Sequence, residues 1–302
     1  MTNIIIIAVS LIIGIISGRI KSVPKDSYKL LNAIIINFCL PALALLYLPE
    51  IKINTELMYP LASMWIVFIA GAAIFAAFGK MYHLGKGTTG ALILTGALCN
   101  SSFIGFPVLS ALYGEEGLKI GVVIDQTGSF VVLATAGVIV ASIASKGDYS
   151  LKKIGRDIIS YPPFIAFIIG AILNLFHAEL PPLIREILAR IGGLVSILAL
   201  ISVGMQLKFN FRGIRVKQLI LGLGYKLILA PLIVYIIYFL IFGNRSLSSQ
   251  VSIIESAMAP MIMGAILADS YKLNPKLSNM MVALGIPVSL ITVFLWYYIL
   301  GI

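Results

Sequence analysis

GALCNSSFIGFPVLSALYG, residues 96–114, places Asn100, Ser101 and Ser102 in the middle of a long apolar run, then interrupts the same run with Gly105 and Pro107. Proline lacks a backbone donor and its ring clashes with the preceding turn, so nearby carbonyls lose their helical partners. In lipid such a gap is tolerated only where protein or a water-filled cavity covers it. The stretch reads as a spanning helix broken beside polar side chains, either at Asn100 or further along at Gly105 to Pro107.

The rest of the chain supports a membrane setting. Of its 302 residues 60% are hydrophobic and only 11% charged, and the mean hydropathy is +1.06, too little polar surface to cover a soluble globule of this size. The net charge of +10 does not imply nucleic acid as a partner, because the basic residues are scattered singly between apolar runs and form no stripe with interleaved aromatics. Cys39 and Cys99 both fall inside apolar segments and are too few for a disulfide framework. The first twenty residues, MTNIIIIAVSLIIGIISGRI, have no basic leader and no small-residue cleavage site, so they read as the first spanning helix.

Dividing the chain at charge and turn clusters gives ten expected helices, near 3–18, 28–48, 60–80, 88–113, 117–142, 160–177, 186–207, 215–241, 248–270 and 277–301. The odd-numbered connections hold sixteen basic residues, from Arg19, Lys21, Lys25 and Lys29 to Lys272 and Lys276; the even-numbered ones hold five, Lys52, Lys119, Arg185, Arg190 and Arg245. By the positive-inside rule the odd connections face the cytoplasm, which places both termini on the outer side of a cell inner (plasma) membrane.

The second half repeats the first at an offset of 156 to 159 residues: IIGII (12–16) falls on IIGAI (168–172), Pro24 on Pro181, Tyr113 on Tyr271 and Gly128 on Pro287. Residues 1–148 and 149–302 are therefore expected to be two repeats of five helices. An odd number per repeat inverts one half relative to the other, a recurrent plan of secondary transporters built on paired broken helices. The second break is expected in IIESAMAPMIMG, at Pro260, Met261 and their neighbours. Two broken helices crossing at the midplane would present half-helix N-termini, which attract anions, and free carbonyls, which attract cations. Such a site takes a small anion as substrate at Asn100, Ser101, Ser102, Pro260 and Met261.

Ionisable residues inside apolar segments cost about 2.5 to 3.5 kcal/mol each at a helix centre on insertion scales. Asp125, followed by Gln126 and Thr127, is either an ion-coupling group or the partner of Lys226 in a structural ion pair. Glu255, five residues before Pro260, is either a cation- or proton-binding group or a carboxylate near the membrane surface. Asn37 either lines the site or bonds a neighbouring helix. Gly14 and Gly18 form a small-xxx-small face suited to close helix packing; Trp65, Trp296, Tyr47, Tyr59 and Tyr161 read as interfacial belts. No cofactor is implied, and an enzyme is not expected. HExxH and G-x-S-x-G are missing, His83 and His177 are far apart, and LGKGTTG lacks the spacing of a phosphate-binding loop.

NSSFIGFPVLSALYGEEGL resembles the fourth-helix signature of the auxin efflux carrier family, with NFCLPALALL (37–46), LISVGMQL (200–207), KLILAPL (226–232) and MAPMIMGAILADSYKLNP (258–275) extending the likeness over the whole chain. The resemblance implies a fold similar to bile-acid sodium symporters, with a scaffold of helices 1, 2, 6 and 7, and a core of helices 3–5 and 8–10. It implies elevator-type transport of organic anions, small carboxylates in microbial relatives, by a homodimer. It also implies Asn100 and Pro260 at the crossover, and Na⁺ at Asn100 and Glu255. Plant auxin carriers have proline directly before the Asn; this chain has Cys99. Na⁺ or H⁺ is the expected coupling ion. The competing reading is a transporter-like receptor that binds a small anion without net transport.

Overall fold

The computed structural model describes residues 2–24, 26–52, 54–145, 156, 158–207, 213 and 215–301. Lys25, Lys146, Lys152, Lys153, Lys208 and Arg212, counted above in the basic connections, and the expected repeat boundary at 148/149 lie outside the described residues. All regular structure among the described residues is helical, apart from one isolated antiparallel bridge between Cys99 and Pro260.

The helices are α1 Thr2–Ser17, α2 Ser27–Glu50, α3 Thr55–Met81, α4 Lys86–Gly96, α5 Ser101–Ser145, α6 Pro162–Leu175, α7 Pro182–Gln206, α8 Val216–Ile241, α9 Leu247–Ser256, α10 Ile262–Ser270 and α11 Pro275–Ile299. Six of them, α2, α3, α5, α7, α8 and α11, are long and apolar enough to cross a membrane. Proline opens α6, α7 and α11, where its fixed φ suits a first turn and its missing donor has no helical partner to lose. Asn274, in the left-handed region at φ 82, caps α11 by accepting from the Leu277 amide at 3.3 Å.

α5 covers 45 residues, roughly 68 Å at helical rise and about twice the hydrocarbon thickness. It does not run straight. Gly114 takes φ 65 and ψ −150, a backbone that L side chains rarely adopt, and the chain doubles back there. Gly121 comes to rest against Leu109 and Phe106, so the two arms form a hairpin.

The expected fourth helix is broken at the first of the two places left open by the sequence, beside Asn100 and not at Gly105 to Pro107. α4 ends at Gly96, residues 97–100 leave the helix, and α5 starts at Ser101, with Gly105 and Pro107 inside its continuous first arm. The expected ninth helix is broken between α9 and α10, residues 257–261. Wide π turns interrupt α2 at Ile35–Cys39, α5 at Asp125–Ser129 and Leu133–Gly137, and α8 at Tyr225–Leu229 and Ile236–Ile241. Such turns are frequent at functional sites. Here two of them hold Asp125 and Lys226.

Helices α1, α2, α6 and α7 pack on one another, and so do α3, α4, α5, α8, α9, α10 and α11; contact between the two sets runs chiefly along α5. α1 lies directly against the second half of α7 because Gly14 faces the Ile201 carbonyl and Gly204, leaving no room for a Cβ on either glycine. Asn174 in α6 donates to the carbonyls of Leu48, Pro49 and Ile51 at 2.8 to 2.9 Å, which covers the freed carbonyls at the end of α2.

The aromatic belt reading fails for two residues. Trp296 is only 6% exposed and donates its indole N–H to the Leu227 carbonyl at 3.1 Å, and Tyr47 is also buried. The carbonyl that Trp296 covers lies in a π turn of α8, where the regular ladder is disturbed.

Candidate functional site

The two interrupted runs meet at their gaps. Cys99 and Pro260 pair in antiparallel fashion, and the Asn100 amide donates to the Ala259 carbonyl at 3.0 Å. α4 and α9 thus end, and α5 and α10 begin, around one point. The positive ends of two helices and the negative ends of two others converge there. The Asn100 carbonyl accepts from the amides of Ile104 and Gly105 at 3.3 and 3.0 Å, so the first amides of α5 keep no helical acceptor. Met261, in extended conformation at φ −70 and ψ 124, performs the same start for α10.

Asn100 is 3% exposed and its Nδ2 has no acceptor. Buried amide donors are ordinarily satisfied, and one left open costs on the order of 1 to 3 kcal/mol. Ser101 and Ser102 point the other way, into the second arm of α5. Ser101 Oγ lies 2.7 Å from Ser129 Oγ, and Ser102 Oγ donates to Asp125 Oδ1 at 2.6 Å. Gln126 Nε2 donates to the second Asp125 oxygen at 2.8 Å, so this buried carboxylate is bonded on both oxygens.

Glu255 is the opposite case. It is fully buried, neither carboxylate oxygen has a partner in hydrogen-bond geometry among the described residues, and the nearest donor is the Ser101 hydroxyl, which shares with Ser129 a bond that either may donate. The carboxylate is enclosed by protein and not exposed at its surface. Gly105 leaves the space its carboxylate fills, since a Cβ there would collide with Glu255 Oε1, and Gly121 in the second arm faces the same oxygen. Glu255 stands in the last turn of α9, where the helix dipole disfavours negative charge. Burial, missing hydrogen bonds and dipole all raise the demand for a cation or a proton at this carboxylate.

The expected ion pair between Asp125 and Lys226 does not form. Lys226 is fully buried, and its Nζ donates to the Ser256 carbonyl at 2.9 Å and to Cys99 Sγ at 2.6 Å. The ammonium therefore caps the negative end of α9 and tethers α8 to both gaps, while Asp125 is saturated by its own neighbours. Thr127 stands outside this cluster: its hydroxyl donates to the Val123 carbonyl at 2.7 Å, and its carbonyl accepts from Trp65 Nε1 at 3.3 Å. Asn37 bonds its own helix, donating to the Ala33 carbonyl at 2.8 Å.

Asn37 does line a cavity of about 840 Å³ between α2 and α7 on one side and α10 and α11 on the other. Lys29, Asn32, Gln206, Asp269 and Asn279 share its wall, which follows α10 from Ile262, at the crossing, to Ser270. Sequence reading did not assign these residues to the site, nor Ser129 and the Gly105 and Gly121 cradle. One signal was available: Ser129 follows Asp125 by four residues and shares its helix face. The rest depends on contacts between helices.

Six helices long and apolar enough to cross a membrane mark a multi-pass membrane protein. A family model described as membrane transport protein matches residues 1–297, and the chain belongs to this family, that of the auxin efflux carriers. It is 28% identical to an uncharacterized transporter of Methanothermobacter thermautotrophicus, over 97% of this chain and 96% of the relative. It is 24% identical to an uncharacterized transporter of Methanocaldococcus jannaschii, over 99% and 98% of the two chains. The uncharacterized transporter YfdV of Escherichia coli K12 is 24% identical, over 97% and 95%. These relatives are transporters, and no enzymatic activity attaches to the family description.

Proposed function

We propose that the protein is a secondary transporter of a small organic anion, coupled to Na⁺ or H⁺ at Glu255 and working by an elevator movement. The observation that carries this reading is the meeting of two interrupted helices at Cys99 and Pro260, beside a fully buried carboxylate with no cationic partner among the described residues. Two helix N-termini and the open Nδ2 of Asn100 suit a substrate carboxylate, and Glu255 suits the cation or proton that accompanies it.

In this reading the eleven helices make ten crossings in two inverted repeats, with α4 and the first arm of α5 as one crossing and α9 and α10 as another. Helices α1, α2, α6 and α7 are the scaffold; the others are the core. The cavity beside α10 is the substrate's access path, and its opening lies at the end bearing the basic connections, which faces the cytoplasm with both termini outside. An interior-negative potential favours exit of an anion by about 2.3 kcal/mol per charge per 100 mV, so uptake requires the coupling ion whereas export does not.

The test uses purified protein in liposomes, a panel of labelled small carboxylates, and imposed Na⁺ or H⁺ gradients. Accumulation that follows one gradient and disappears in Glu255→Gln supports the reading. Flux indifferent to both gradients and to Glu255→Gln removes the coupling. Binding without flux replaces transport with a receptor function.

A further inference from the structure

A second pair of hollows lies away from the crossing, where the end of α3 and the starts of α4 and α8 come together. Phe78 on the last turn of α3 and Tyr82 directly after it stack with ring centroids 5.6 Å apart, and with Leu221 of α8 they border a groove of about 540 Å³. Tyr82 and Val216 at its edge are 62% and 61% exposed, apolar surface of the kind that faces acyl chains. Arg215 and Lys217, at the start of α8, line the same groove. Arg215 and Gln218 also line an adjoining hollow of about 360 Å³, whose other walls include His83, Thr88 and Asn274. Among the described residues no carboxylate lines either space, and neither Arg215 nor Lys217 forms an ion pair.

An apolar groove that opens to the bilayer thus passes, at an unpaired arginine, into a polar hollow. That sequence of surfaces matches a ligand with a long apolar part, one negative charge and a hydroxylated head. A free inorganic anion would use the polar half alone. Basic pockets between spanning helices at the cytoplasmic end are suited to anionic lipid heads, and each nearby Lys or Arg contributes about 1 kcal/mol.

We propose that Arg215, Lys217 and the groove of Phe78, Tyr82 and Leu221 form a binding site for an anionic glycerophospholipid. The phosphate sits between Arg215 and Lys217, one acyl chain follows the aromatic pair, and the head reaches Gln218 and Asn274. The leaflet rests on the orientation proposed above; the binding does not. The site lies apart from Asn100 and Glu255, so it stands whether or not the coupling reading does.

The experiment measures the melting temperature of delipidated wild-type protein in nanodiscs of phosphatidylcholine with increasing phosphatidylglycerol, and separately in detergent with inorganic phosphate, with no substrate present. Phosphatidylglycerol should raise the melting temperature saturably, while phosphate should not. Arg215→Ala/Lys217→Ala should raise the half-saturating phosphatidylglycerol fraction on the order of 25-fold, roughly fivefold for each charge. Arg19→Ala/Lys21→Ala, which removes two basic residues elsewhere, should leave the response unchanged. An equal response to phosphate, an unchanged response in Arg215→Ala/Lys217→Ala, or an equal loss in Arg19→Ala/Lys21→Ala overturns the proposal. If the alanine pair does not fold, native mass spectrometry of wild type in an equimolar lipid mixture decides: retained phosphatidylglycerol supports the site, and equal retention of phosphatidylcholine overturns it.

Discussion

Gly105 leaves open the space that the Glu255 carboxylate occupies, although the two residues belong to different interrupted helices 150 positions apart. A Cβ at Gly105 would overlap Oε1 of that carboxylate, and Glu255 has no free rotation to retreat into because it is fully buried. Gly105→Ala is therefore expected to destabilise the protein by about 1 to 3 kcal/mol, the usual cost of overpacking. Thermal unfolding in detergent checks it. In the background of Glu255→Ala, which clears the space, the added methyl should cost much less, and equal costs in both backgrounds would show that the two residues do not compete for one volume.

Lys226 supports the gaps through hydrogen bonds to the Ser256 carbonyl and Cys99 Sγ. Lys226→Met fills similar volume but leaves a buried carbonyl without its donor and removes the positive charge nearest the end of α9. A loss of about 1 to 3 kcal/mol is expected from the carbonyl alone, together with loss of transport in liposomes. Cys99→Ala should cost less, because a thiol is a weak partner and the Ser256 bond persists. Comparing the melting temperatures of the two variants ranks these contributions; a larger loss for Cys99→Ala contradicts the ranking.

Lys119 joins the two helix sets at the end opposite the basic connections. Its Nζ lies 3.1 Å from Glu50 Oε2 at the end of α2 and 2.8 Å from Glu116 Oε1, and Glu50 also pairs with Arg185 of α7. These groups are partly exposed, so the pair contributes about 0.2 to 1 kcal/mol and weakens with added salt. The elevator movement proposed above would require the contact with Glu50 to part. Glu50→Gln should then shift the balance of states by up to about fivefold with little change in melting temperature. The check is the maleimide labelling rate of Asn37→Cys, which lines the cavity beside α10; a rate unchanged by Glu50→Gln shows that the pair does not hold this state.

Gly14 and Gly224 make a contrasting pair. A side chain at Gly14 would strike the Ile201 carbonyl and the backbone of Gly204, whereas nothing lies within 4 Å of a Cβ at Gly224. Gly14→Leu is expected to separate α1 from α7 and lower the melting temperature by an amount equivalent to several kcal/mol, since close backbone approach is what holds helices together in lipid. Gly224→Ala should leave it unchanged within about 0.5 kcal/mol. Thermal unfolding of both variants in the same detergent tests the difference.

The membrane setting and most of the helices were legible in the sequence because hydropathy is a local property: a run of some 20 apolar residues has one stable environment, and its limits follow from charge and proline. The two interruptions were legible for the same reason, polar residues and prolines in runs that otherwise need none. Their places were legible in part: Pro260 falls in the second gap, residues 257–261, and Asn100 was one of two places open for the first. Of the two places open for the first break, the chain leaves helical form at residues 97–100, next to Asn100, while Pro107 sits inside the first arm of α5, directly after the wide π turn Ser101–Gly105. What only the tertiary structure decided is which buried polar groups meet: Ser102 with Asp125, Lys226 with Ser256 in place of Asp125, and Glu255 with two glycines and the Ser101 hydroxyl. Those pairings depend on the depth and rotation of each helix against its neighbours, which π turns at Asp125 and Tyr225 shift by fractions of a turn. Side-chain partners are set by that three-dimensional register, and no local pattern of apolar residues encodes it.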